Sequence, residues 1–204
     1  FSTTVGQVYY KDGTRVASPA YYGYGGFEPY GLERLEVLRG PASVLFGQNQ
    51  PGGIVNMVSK RPSVEPIREV QLLAGSHQRA QVAADFGGAI TEDGQWSYRL
   101  VALGRDSNTQ IDNIADNRRY LAPSISWKPS DRTELTVRAE YQLNEGAANN
   151  ILPAEGTVLR NPNGRIPVSR SLGTARDNTE SYETQSIGYQ LEHRATDVWT
   201  LRQN

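Results

Sequence analysis

Cysteine is missing from the 204-residue chain, which excludes disulfides, thiolate metal sites and cysteine nucleophiles together. Histidine is scarce: His77 falls at a strand end and His193 beside a turn, where a rim side chain is the plain reading rather than a metal ligand. Net charge is nearly missing as well. Lys and Arg number 21 against 22 Asp and Glu, so nothing points to a nucleic-acid partner or an anionic surface. No apolar run is long enough for a membrane helix. Apolar residues make up only 37%, whereas Gly reaches 20 and Tyr 11. Such a composition suits a soluble β protein, or equally a membrane barrel whose strands each carry a polar face.

Catalytic patterns are missing too. In "GPASVLFGQNQPGG", 40–53, Gly47 and Gly52 have the spacing of a phosphate loop, but Gly53 and Ile54 stand where Lys and Ser or Thr belong. "GYGGF" at 23–27 lacks the third glycine of a dinucleotide fingerprint, and Ser43 has no nucleophile elbow around it. Asp112 and Asp116 share a loop that could bind calcium, although a solvated loop explains them as well. No acid–base or nucleophile set is present, so an enzyme is not expected.

What is present, from about residue 67 onward, is a period of two. In "TELTVRAEYQL", 133–143, Thr133, Leu135, Val137, Ala139, Tyr141 and Leu143 alternate with Glu134, Thr136, Arg138, Glu140 and Gln142. Successive strand side chains point to opposite faces, so this strand has one greasy and one wet side. The same pattern runs through 119–128 and 96–105, where Val101 and Leu103 blur the polar side, and more weakly through 79–88 and 183–192. With 67–75 and 198–204 this makes seven strands without intervening helices, hence an antiparallel meander. The connections "TEDG" (91–94), "PSDR" (129–132) and the link after His193 are short; 106–117 and 144–181 are long; 76–78 is short and departs from the alternation. Short turns at one end and long loops at the other are the signature of outer-membrane barrels.

Residues 1–62 read differently. "GQVYYKDGTRV" is a hairpin turned at Asp-Gly. "ERLEVLRG" is a short, partly buried strand, "PASVLFG" one helical turn between Pro41 and Gly47, and "GGIVNMVSK" another strand. Together they predict a small mixed α/β unit. It is joined through "KRPSVEP", kept extended by Pro62 and Pro66, to the strand array.

The run "ERLEVLRGPASVLFGQNQPGGIVNMVSKRP", 33–62, resembles the plug signature of TonB-dependent outer-membrane siderophore receptors. "YRLVALGRDS", "RYLAPSISWKPSDRTELTV", "LPAEGTVLRNPNGRIP" and "WTLRQN" resemble the first barrel strands of the ferrichrome-type branch. The resemblance implies a β-rich fold: a partial transmembrane antiparallel β-barrel meander (63–204) preceded by part of a small mixed α/β plug domain (1–62). Such a chain would be a fragment of a receptor in the bacterial outer membrane. Its partners would be a ferric siderophore, the TonB energy-coupling protein and outer-membrane lipid, with no nucleic acid. Iron would be carried as cargo, with no cofactor and no direct metal ligand.

A wide barrel needs its lumen filled, and a plug needs tight turns and a charged surface to meet a polar wall. Gly40, Gly47, Gly52 and Gly53, with Pro41, suit the turns. Glu33, Arg34, Glu36 and Arg39 are candidates for ion pairs, within the plug or to inward residues such as Arg138 and Glu140. The resemblance also implies aromatic side chains at the plug apex facing the cargo: Tyr21, Tyr22, Tyr24 and Phe27, with Thr4 and Gln7 in the neighbouring segment. An aromatic cluster packing plug against wall is the alternative for these rings. Where ferrichrome-type relatives carry aromatics before the Leu-Pro-x-Glu-Gly-Thr motif, this chain has Asn149, Asn150 and Ile151. Two other readings stay open: a receptor of the same kind for cobalamin or an oligosaccharide, and a soluble β-rich binding module.

Overall fold

The computed structural model describes residues 8–16, 26–40, 53–146, 151–172 and 180–204. They form two sheets laid against each other. The smaller has the order β2-β1-β4-β3, with β1 at Val8–Lys11, β2 at Thr14–Val16, β3 at Leu32–Arg39 and β4 at Gly53–Ser59. Asp12 and Gly13 turn the β1–β2 hairpin with φ of 51° and 83°, the primed geometry that an Asp-Gly pair favours. Strand β4, parallel to β1 and antiparallel to β3, is buried along its whole length. On β3, Leu38 packs toward Tyr10 and Ile54, whereas Leu35 and Val37 are more than half exposed. Gly53 answers to its surroundings: its φ is +114°, and a Cβ there would stand 2.2 Å from the Leu38 carbonyl oxygen. Among the described residues this unit holds no α-helix, only a 3-10 turn at Pro29–Gly31. The helical turn expected over 41–47 lies outside the described residues.

The larger sheet is an uninterrupted meander, β5 to β11. Its strands are β5 Ile67–Gly75, β6 Arg79–Ala89, β7 Trp96–Asp106, β8 Asn117–Ser130, β9 Thr133–Gly146, β10 Glu180–Arg194 and β11 Thr200–Gln203. Each pairs antiparallel with the next. The turns after β6, β8 and β10 are short and lie at one end of the sheet. At the other end, 107–116 docks on 151–172 through Asp112 N–H to the Ser169 carbonyl at 2.8 Å. Asp116 there is taken by Arg105 at 3.0 Å and Arg79 at 3.5 Å, which accounts for its place in the loop without calcium. The brief 76–78 turn is made by His77 and Gln78, both at positive φ, and the Asn108 amide bonds Gln78 at 2.9 Å.

The two faces of the meander differ in kind. One carries Val70, Leu72, Val82, Phe86, Leu100, Leu121, Ile125, Ile187 and Leu201, all exposed. Trp96 and Trp127 stack on it at 5.7 Å near the short-turn end, as interfacial aromatic girdles do. At about 3.4 Å per residue and a tilt of about 40°, the run from Leu135 to Leu143 covers roughly 20 Å, close to the apolar band of about 25 Å of a membrane barrel. The other face is polar and lies against the small sheet. It also holds an apolar island of Ala83, Val101, Leu103 and Tyr120, against which Tyr30 packs. The two residues that blur the alternation in β7 are therefore part of the inter-sheet core.

Neighbouring residues of β10 test this assignment. In the full-length protein in phospholipid vesicles, Ile187→Arg should lower stability in urea by about 2–4 kcal/mol, and Ser186→Arg by less than about 1 kcal/mol. Equal losses would contradict a lipid-facing row.

Candidate functional site

The inward face of the wall is charged, and its charges are met by the small sheet. Asp85 on β6 is 2% exposed. Its carboxylate accepts from Arg99 Nε and Nη2, both at 2.9 Å, and from Lys60 Nζ at 2.8 Å. Arg99 reaches on to Glu33 at 3.4 Å and to the Arg61 carbonyl at 3.1 Å. Two cations around one buried carboxylate satisfy it on both oxygens, the condition for keeping a charge out of water. Lys60 also stands 4.1 Å above the Tyr30 ring, a cation–π contact. Burial, then the hydrogen bond to Glu69 at 3.0 Å, pushes the Tyr30 phenol well above its ordinary range. It therefore stays neutral and donates to Glu69.

A second group joins the β1–β2 hairpin to β9. Lys11 pairs with Glu140, which also accepts from the Tyr120 hydroxyl at 2.9 Å. Asp12 pairs with Arg138 at 2.9 Å and accepts from Ser59 N–H at 2.9 Å and Ser59 Oγ at 2.6 Å. A cavity of about 180 Å³ lies between hairpin and wall, lined among others by Thr14, Lys60, Ser124 and Ser186. Its lining mixes polar and apolar groups, and it is roomy enough for several waters.

A third group involves Gly26–Gly31. The Gly26 carbonyl accepts from the side chains of Gln142 and of Asn144, the latter at 3.2 Å. Glu28 N–H donates to Gln142 Oε1 at 3.2 Å, and its carboxylate pairs with Arg118 at 2.9 Å. Gly31 lies so close to the wall that a Cβ would stand 2.0 Å from the Tyr120 hydroxyl oxygen. Only glycine fits there. Residues 26–33 thus cross the wall as one strap, touching β9, β8, β7 and β5.

Of the signature residues, Glu33 meets the wall at Arg99, while Arg34 and Glu36 pair with each other at 2.7 Å within β3. The Asn56 amide, then Arg34, holds the Glu36 carboxyl below its usual range. Arg39 ends β3 exposed, Gly40 has φ of 89°, and Gly53 opens β4. The β3 charges thus pair within the small sheet, at Arg34 and Glu36, and with an inward wall residue, at Glu33, whereas the wall residues named as examples, Arg138 and Glu140, meet Asp12 and Lys11 instead. The sheet order explains why, since β3 is the edge farthest from the hairpin that faces β9. Phe27 is half-buried with its ring 6.1 Å from Tyr9. Tyr21, Tyr22, Tyr24, Thr4, Gln7, Pro41, Gly47 and Gly52 lie outside the described residues. Sequence reading missed Lys11, Asp12, Glu28, Lys60, Asp85, Arg99 and Arg118. The available signal was parity: Asp85, Arg99 and Arg118 fall on the wet side of otherwise apolar strands.

Residues 3–54 match the family described as TonB-dependent Receptor Plug Domain. The chain is 42% identical over 186 residues to the ferrichrome outer membrane transporter/phage receptor of Escherichia coli K12, covering 90% of this chain and 25% of that protein. It is 34% identical over 199 residues to the ferrioxamine receptor of Yersinia enterocolitica, covering 96% and 27%. Among solved structures, pyoverdine-bound FpvA of Pseudomonas aeruginosa superposes with a TM-score of 0.79 at 25% identity, over 95% of this chain and 26% of that one. The ferric-catecholate import receptor Fiu of E. coli K12, in its open form, gives 0.83 at 21% identity, over 95% and 30%, a likeness of fold. The chain spans about a quarter of the length of these two receptors.

Removing the central carboxylate is the direct test of this junction. Asp85→Asn leaves Lys60 and Arg99 without their anion and should cost about 3–5 kcal/mol, read as faster proteolysis within residues 8–60 of the full-length receptor. Gly31→Ala should act in the same direction by about 1–3 kcal/mol through overpacking, and Tyr120→Ala should relieve it. Unchanged proteolysis in both variants would dismiss the junction as a stabilising contact.

Proposed function

Because the chain belongs to the TonB-dependent receptor family, we propose that the whole protein imports a ferric siderophore across the bacterial outer membrane. In this reading residues 1–62 are the C-terminal part of the plug and 63–204 the first strands of the barrel. The observation that carries it is the opposed character of the two wall faces. Outward rows such as Leu100, Ile125 and Ile187 are exposed and apolar, and inward charges such as Asp85 and Arg138 are neutralised by the small sheet. A soluble module would bury the first face. In this reading outer-membrane lipid would cover it.

The cargo follows from the relatives named for ferrichrome and ferrioxamine. Iron would arrive inside its organic chelate, so the protein needs no metal ligands of its own. We assign contact with the chelate to Tyr21, Tyr22, Tyr24 and Phe27, with Thr4 and Gln7 beside them. Aromatic rings suit the organic shell, and phenols can bond its oxygens. The step is transport: no bond of the cargo is made or broken. TonB, energised at the inner membrane, would then shift the plug. The ion pairs at the junction favour that role, because water can replace each contact as it opens.

The reading is checked by deleting the full-length gene and supplying radio-iron as ferrichrome and as ferrioxamine B, with labelled cobalamin in parallel. Iron uptake from at least one chelate should disappear, return on complementation, and fail again without TonB. Loss of cobalamin uptake alone would shift the cargo to another nutrient. No loss of any would end the transport reading.

A further inference from the structure

Glu28 holds both ends of the strap. It is 4% exposed, and its two carboxylate oxygens have separate tasks. Oε2 accepts from Arg118 Nη1 at 2.9 Å, on β8. Oε1 accepts from Tyr30 N–H at 2.9 Å and so caps the 3-10 turn Pro29–Gly31. Its own N–H donates to Gln142 on β9, next to the bonds that hold Gly26. One residue therefore ties the strap to β8 through its side chain and to β9 through its N–H, and starts the turn that follows.

The turn is stiff, because the Pro29 ring fixes its φ. It ends in two contacts with the Asp85 group: the Tyr30 ring beneath Lys60 at 4.1 Å, and the Gly31 carbonyl accepting from Lys60 N–H at 3.0 Å. Lys60 in turn holds Asp85 at 2.8 Å. Suppose Phe27 and Gly26 move. Then Glu28 must either leave Arg118 or let go of Tyr30. Leaving Arg118 strands a guanidinium whose Nε already lacks a partner, an expensive state for a charge held out of water. Letting go of Tyr30 uncaps the turn and loosens its grip on Lys60. Because the first course is the costlier, the change passes through Tyr30 and Gly31 to the Asp85 group.

We propose that Glu28 is a positioning residue that transmits displacement of the Phe27 segment to the Lys60–Asp85 clamp. This deepens the reading of Phe27 as a cargo contact, but the link itself consists of the contacts just described. Asp cannot replace Glu28, since a side chain one methylene shorter cannot reach Arg118 and the Tyr30 amide together.

The Lys60 amide is a natural reporter, because it donates to Gly31 and lies outside the Glu28 contacts. Hydrogen exchange by mass spectrometry on the full-length receptor in detergent, without cargo, reads it directly. Glu28→Ala should speed exchange at Lys60 about tenfold while the amides of Val55–Met57 in β4 stay unchanged. Glu28→Gln, which still accepts from Tyr30, should change it less than about threefold. If Glu28→Ala does not assemble, Arg118→Met serves instead, with an expected rise of about threefold at Lys60. Faster exchange confined to 26–31, or a rise spread equally over β4 and the wall, would overturn the proposal. No cargo or coupling protein enters the measurement, so its failure and a failure of transport are told apart.

Discussion

A carboxylate held at the inner surface of a sheet, away from water, demands cations, and Asp85 finds one on its own sheet and one on the other. The junction depends on that demand. Arg99 alone could neutralise the charge within the wall, but its fork also extends to Glu33 and the Arg61 carbonyl. Lys60 comes from the end of β4, so the chain leaves the small sheet already tied to the wall it is about to build. The same logic recurs at Asp12 with Arg138 and at Glu28 with Arg118. Such pairs add little net stability over an apolar contact of equal size. What they supply is register, because a displaced partner leaves a buried charge behind.

The apolar share of the junction is small and local. Ala83, Val101, Leu103 and Tyr120 form one island, and Tyr30 from the 3-10 turn before β3 packs on it. An interface built mainly of ion pairs and hydroxyls can exchange its bonds for water as it parts. One made of interdigitated Leu and Phe could not do so at low cost. In the proposed transport cycle that difference separates a plug that can be shifted from one that is permanently fused.

Most of the wall was legible in the sequence, since a period of two is a local property of the chain. The stretch 133–143 extends in the structure to Thr133–Gly146, and 119–128 to Asn117–Ser130. The strands outrun the alternation where their ends leave the apolar band and both faces turn polar, as at Asn144 and Glu145. Val101 and Leu103 looked like noise because an inward apolar residue makes sense only once Tyr30 is set against it. The junction was less legible for the same reason. Nothing local links Glu28 to Arg118 or Lys60 to Asp85, and the signature charges of β3 drew attention to an edge strand whose ion pair to the wall, among the described residues, is made by Glu33. Asp12 illustrates the limit. It reads as a turn former, which it is, while its carboxylate serves Ser59 and Arg138 far along the chain.

The strap of residues 26–33 touches β9, β8, β7 and β5, all of which come after it in the chain. The stopper can therefore be bedded against the opening staves while the cask is still unhooped. In the proposed reading it need not be driven into a finished cylinder.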